Sequence, residues 1–118
     1  MILPASLLVG LGGAVGATLR YTVGRALADA DAPFPASTLA VNTLGTFALG
    51  LLTFAGAGDE ATLLVGTGIC GAFTTFSSFS VETVQSWESG KRGLAVGYAL
   101  GTLVLAGVAL AVAWLLVG

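Results

Sequence analysis

Between Gly68 and Glu82 the chain reads Gly-Ile-Cys-Gly-Ala-Phe-Thr-Thr-Phe-Ser-Ser-Phe-Ser-Val-Glu. Two glycines, three phenylalanines at a spacing of three, and hydroxyls at Thr74, Thr75, Ser77, Ser78 and Ser80 follow an apolar run. There is no histidine and one cysteine, Cys70, so no Cys/His metal site fits within one chain, and nothing resembles a nucleophile–base pair. What a row of hydroxyls can do without a base is solvate. Neutral O–H groups can replace water around an anion, and the electropositive edges of phenylalanine rings can face the same ion. Phe76 and Phe79, at i and i+3, share a helix face. Core packing is the plainer reading of a phenylalanine pair, but it leaves the hydroxyls unexplained.

These residues sit in an unusually apolar chain. Of 118 residues, 56% are hydrophobic and 8% charged, against roughly 25% charged in a soluble domain. Four apolar segments, about residues 2–23, 34–57, 61–84 and 93–117, are each long enough for a membrane helix of about 20 residues. The expected fold is a single all-α membrane domain, residues 1–118, with four transmembrane helices. The third is expected to break near its middle, Gly71 letting the backbone leave the helix, because irregular backbone survives at membrane depth only when buried or lining a wet path. Short connections make sequential helices antiparallel neighbours. Segment one lacks the basic start of a signal peptide, and Pro33 and Pro35 flank Phe34 where a loop gives way to helix two. Gly12 and Gly16, and Gly93, Gly97 and Gly101, are spaced for close helix packing. Cys70 reads as a small buried thiol. A net charge of −2, with a pI near 4.6, offers no basic nucleic-acid patch and is compatible with a halophilic source.

Polar residues elsewhere extend the pattern. Asn42 lies inside the second segment, where interhelical hydrogen bonding and pore lining are both open readings, and Thr38 is one turn earlier on the same face. Tyr98 and Thr102 stand at i and i+4 in the fourth. Arg20 closes the first segment as an interfacial anchor or as a charge at an aqueous vestibule. Glu82 is either a solvated end or the partner of a basic residue.

Three motifs, Gly13-x-x-Gly16-Ala17-x-x-Arg20-Tyr21, Thr38-Leu39-x-Val41-Asn42-x-x-Gly45-x-Phe47-x-x-Gly50 and Gly68-x-Cys70-Gly71-x-Phe73-Thr74-Thr75-Phe76-Ser77-x-Phe79-Ser80-x-Glu82, closely resemble the Fluc (CrcB-type) fluoride channel family. The resemblance spans the chain, and the third motif is its specific part. It implies an antiparallel dimer with two fluoride pores, passive conduction, and residence in the plasma membrane of a prokaryote. It implies pore-lining roles for Phe76, Phe79, Asn42, Ser77, Thr75, Thr38, Tyr98 and Thr102, and a vestibule role for Arg20. It also implies one structural sodium ion held by the carbonyls of Gly71 and Thr74 from both subunits; main-chain oxygen suits a hard cation where no carboxylate is at hand. Ala106 lacks the hydroxyl that some relatives carry, which shortens the track.

Rival classes explain less. A four-helix multidrug–proton antiporter needs an ionisable group within the membrane, and segment one has no acid at its centre. A structural membrane subunit would use the glycine faces but not the hydroxyl run. Arg20, Arg25, Lys91 and Arg92 all border the first and third connections, and the second connection and both termini have no Lys or Arg. The positive-inside rule then places connections one and three in the cytoplasm. One dominant orientation implies pairing with a separate, oppositely biased homologue; the alternative is a dual-topology homodimer.

Overall fold

The computed structural model describes residues 3–28 and 34–118. The expected helix start at Ile2 and the loop role of Pro33 fall outside them. The helices are α1 (Ala5–Ala26), α2 (Ala36–Phe54), α3 (residues 59–73), α4 (Phe76–Glu88) and α5 (Arg92–Val117). With α3 and α4 counted as one interrupted span, four spans are long and apolar enough to cross a membrane. The long axis, 52 Å, exceeds a bilayer of about 40–45 Å with its headgroups.

Local chemistry sets the ends. Pro4 (φ −61°) precedes α1, its fixed φ already helical. The helix runs three residues past the expected Val23, and the hydroxyls of Thr18 and Thr22 fold back onto the carbonyls of Ala14 and Thr18 (2.8 and 2.9 Å). α2 stops at Phe54, earlier than expected, because Gly56 turns left-handed (φ 72°) and the N–H groups of Gly56 and Ala57 return to Thr53 and Leu52. α4 continues past Val84 to Glu88 and ends the same way at Gly90 (φ 84°), with Lys91 N–H donating to the Ser86 carbonyl.

α1 packs mainly on α3, and α2 mainly on α5. The expected pairing of sequential neighbours is therefore the weaker contact for α1 and α2. The reason lies in Gly12 and Gly16. A methyl on Gly12 would strike the Leu64 carbonyl oxygen and one on Gly16 the Ile69 carbonyl oxygen, so bare backbones meet there. The stretch they touch, Thr62–Cys70, is π-helical, and Gly71 N–H reaches back five residues to Gly66. Gly93, Gly97 and Gly101 do not pack within this chain: among the described residues a methyl on any of them meets nothing within 4 Å, which leaves this face of α5 open. Val104, Leu115 and Leu116 are also exposed, as suits lipid contact. Val41, Ala95, Ala109 and Ala113 form the small core between α2 and α5, and Cys70 is a buried free thiol as expected.

Candidate permeation site

The third span breaks at Thr74 and Thr75, not at Gly71. Gly71 keeps helical angles (φ −61°, ψ −38°), whereas Thr74 (ψ 163°) and Thr75 (φ −151°, ψ 125°) are extended. Threonine is β-branched and comfortable in that region, so no left-handed glycine is required. What holds the break is Asn42 on α2. Its Nδ2–H donates to the Thr75 carbonyl (2.9 Å), and its Oδ1 accepts from the Thr75 N–H (2.8 Å). Thr75 then caps α4, its Oγ1 accepting from Ser78 N–H at 3.2 Å.

Two carbonyls lose their helical partners in consequence. In a continuous helix the Gly71 carbonyl would accept from Thr75 N–H and the Thr74 carbonyl from Ser78 N–H. Both donors are diverted, one to Asn42 and one to Thr75 Oγ1. Gly71 and Thr74 lie on the same groove. Gly45 makes room for Thr74, whose Cγ2 occupies the place of a Gly45 methyl.

Most of the remaining expected residues fall along three neighbouring recesses; Tyr98 lines none of them, being buried behind Phe79. A groove of about 610 Å³ brings together Asn42, Thr75, Phe76, Phe79 and Thr102, with Ala106 beyond them. A second, of about 370 Å³, holds Thr38, Ser77, Ser78 and Glu82. Thr75 Oγ1 and Ser77 Oγ, 3.3 Å apart, bridge the two. A polar mouth of about 390 Å³ follows, with Ser37, Glu82, Gln85, Ser86 and Lys91. Thr38, 7% exposed, donates to Glu82 Oε1 at 2.7 Å. Tyr98 is 1% exposed beside Phe79, ring centroids 5.2 Å apart. The Tyr98 hydroxyl and Thr102 Oγ1 are buried with no hydrogen-bond partner among the described residues. Phe76 is 79% exposed and shares its face with Phe79, at 6.1 Å.

Arg20 reaches this line from α1, its Nη2 standing 3.4 Å from Ser78 Oγ. It lines a separate recess with Tyr21, Arg25 and Ala72 rather than the polar mouth. Glu82, read from sequence as a solvated end or the partner of a basic residue, instead accepts from the neutral Thr38 hydroxyl, and Ser78 of the hydroxyl row meets Arg20. The i, i+4 spacing of Ser78 and Glu82, which puts both on one face of α4, is the sequence signal that joins them.

The structure thus offers neutral donors and phenylalanine rings along neighbouring recesses beside an interrupted helix. A family model described as CrcB-like protein, Camphor Resistance (CrcB), matches residues 7–115. The chain belongs to the CrcB-like family. Among similar CrcB-like proteins, "Fluoride-specific ion channel FluC 2" of Haloarcula marismortui is 55% identical over 107 residues, covering 91% of this chain and 88% of the relative. "Fluoride-specific ion channel FluC 1" of Halobacterium salinarum is 50% identical over 98% of this chain and 96% of its own. "Fluoride-specific ion channel FluC 1" of Geobacillus kaustophilus is 49% identical over 94% and 93%. With four apolar spans, this CrcB-like chain is a multi-pass membrane protein.

Proposed function

We propose that this chain is a subunit of a fluoride-specific channel that lets fluoride leave the cell passively, and that it is not an enzyme. The observation that carries this reading is the helix break clamped by Asn42, from which hydroxyls and two phenylalanines line neighbouring grooves. The names of its relatives supply the ion. A small anion holds its water tightly, and moving even a carboxylate-sized ion into low dielectric costs about 20 kcal/mol in the idealised limit. Hydroxyl donors at Thr75, Ser77, Ser78 and Thr102, with the edges of Phe76 and Phe79, replace that water with neutral groups that do not hold the ion as tightly as a row of cations would. A negative interior drives the anion outward at about 2.3 kcal/mol per 100 mV.

The grooves are open on one side of the chain, and Phe76 and Leu103 are exposed there. We infer an antiparallel dimer that closes them, the partner being a homologue of opposite charge bias. The residues at the break fit a structural sodium ion: the Gly71 and Thr74 carbonyls are freed from helical bonding and share one groove. Among the described residues no cluster of acidic or thiol side chains competes for such an ion. The ion, once bound, supplies a fixed positive charge that ties the two broken helices together.

The test is made in the cells that carry the chain. Deleting it lowers fluoride tolerance, restoring it recovers tolerance, and restoring it with Phe79→Ile does not. Unchanged tolerance on deletion, in cells lacking any other fluoride exporter, contradicts the reading.

A further inference from the structure

The fluoride route as read above, on which this inference rests, ends at the polar mouth, and one ring at that mouth belongs to none of the sequence motifs. It is Phe34, just ahead of α2. Its ring meets Tyr98 edge-on, centroids 5.5 Å apart and planes at 84°. Tyr98 meets Phe79 at 5.2 Å on its way to Phe76, so four rings run unbroken from the mouth into the large groove.

We propose that Phe34 is a positioning residue for this route, holding the Tyr98 ring between itself and Phe79 and thereby placing the Tyr98 hydroxyl. A phenolic O–H prefers the plane of its ring, so whatever fixes that ring places the oxygen and limits the O–H to two in-plane directions. Tyr98 is 1% exposed, and its hydroxyl has no close hydrogen-bond partner among the described residues; the Thr38 side chain and the Glu82 carboxylate face it, and the setting of the ring decides how the hydroxyl meets them. The two rings against it are Phe79 and Phe34. Phe34 is well placed for this task. The following Pro35 restricts its backbone to extended conformations, and its carbonyl accepts from Ala36 N–H at 2.9 Å. Edge-on aromatic geometry is directional, so an aliphatic side chain of similar size fills the space without reproducing it.

The assembly, purified through a tag on this chain, is reconstituted in liposomes and fluoride efflux is read with an electrode. Phe34→Leu lowers efflux at least twofold with the assembly intact, and Phe34→Tyr keeps at least three quarters of it, because its ring edge stays and its hydroxyl faces the polar mouth. In a Tyr98→Leu background, Phe34→Leu produces no further loss. Wild-type efflux from Phe34→Leu, equal losses from Leu and Tyr, or an additive loss in the double variant each overturns the proposal. If Phe34→Leu does not assemble, Phe34→Met replaces it; failure of both assigns Phe34 to folding and also overturns it. Efflux by the wild-type assembly is measured alongside, and its absence overturns the channel reading instead.

Discussion

Asn42 is one side chain on which the rest of the site depends. Both of its bonds go to the Thr75 backbone, and leaving a buried backbone group unpaired costs about 1–3 kcal/mol. Asn42→Ala is expected to lower stability by about that much for each group exposed, and to abolish the efflux this chain supports, because the hydroxyl row loses its register. Thermal unfolding of the purified assembly checks the first part; a shift corresponding to less than about 0.5 kcal/mol contradicts the clamp. Phe79→Ile should behave oppositely. Volume is nearly kept, so stability changes little, while fluoride efflux falls by half or more. These hydroxyls and phenylalanines were legible in the sequence because their types and spacing recur within one turn or two. The clamp was not. Asn42 and Thr75 are 33 residues apart, and an amide in an apolar helix has many conceivable partners. Thr38 was legible as polar and as an extension of the line, but its partner Glu82 was not, lying 44 residues away.

At the scale of elements, apolar length announced the four spans, and their ends moved where polar residues such as Gln85 and Ser86 extend a helix and where Gly56 turns the chain early. The break was legible but placed at the wrong residue. A glycine signals possible freedom, whereas the freedom here is used by two threonines that a neighbouring helix pulls straight. The π-helical turn left no trace in the sequence, since Thr62–Cys70 has the same apolar composition as an α-helix. Its consequence is testable through α1. Gly16→Ala drives a methyl into the Ile69 carbonyl, backbone that cannot swing aside, and should destabilise by about 1–3 kcal/mol. Gly10→Ala, on the same helix with nothing within 4 Å, should be neutral or stabilising by up to about 1 kcal/mol through helix propensity. Equal unfolding midpoints for the two variants would deny the close approach of α1 and α3.

The whole molecule carries its positive charges at one end. Arg92 stacks on Trp87 (4.9 Å), and Arg25 Nη1 donates to the Tyr21 hydroxyl (3.2 Å), pairs of the kind that settle at a membrane interface. These support one dominant orientation and hence a distinct partner chain, which mass spectrometry of the tagged assembly would reveal as a second homologous subunit. If carbonyls of Gly71 and Thr74 hold sodium, exchanging it for a bulky organic cation removes a ligand that favours the folded assembly, so the unfolding midpoint falls and efflux stops. An unchanged midpoint and unchanged efflux after complete exchange would remove sodium from the account. The central claim is that the grooves beside the clamped break pass fluoride and not its larger relative. The most direct measurement is anion efflux from liposomes holding the assembly purified through this chain, loaded in turn with potassium fluoride and potassium chloride. Rapid fluoride efflux on adding a potassium ionophore, with chloride retained, is the expected result; equal release of both ions, or of neither, would contradict it.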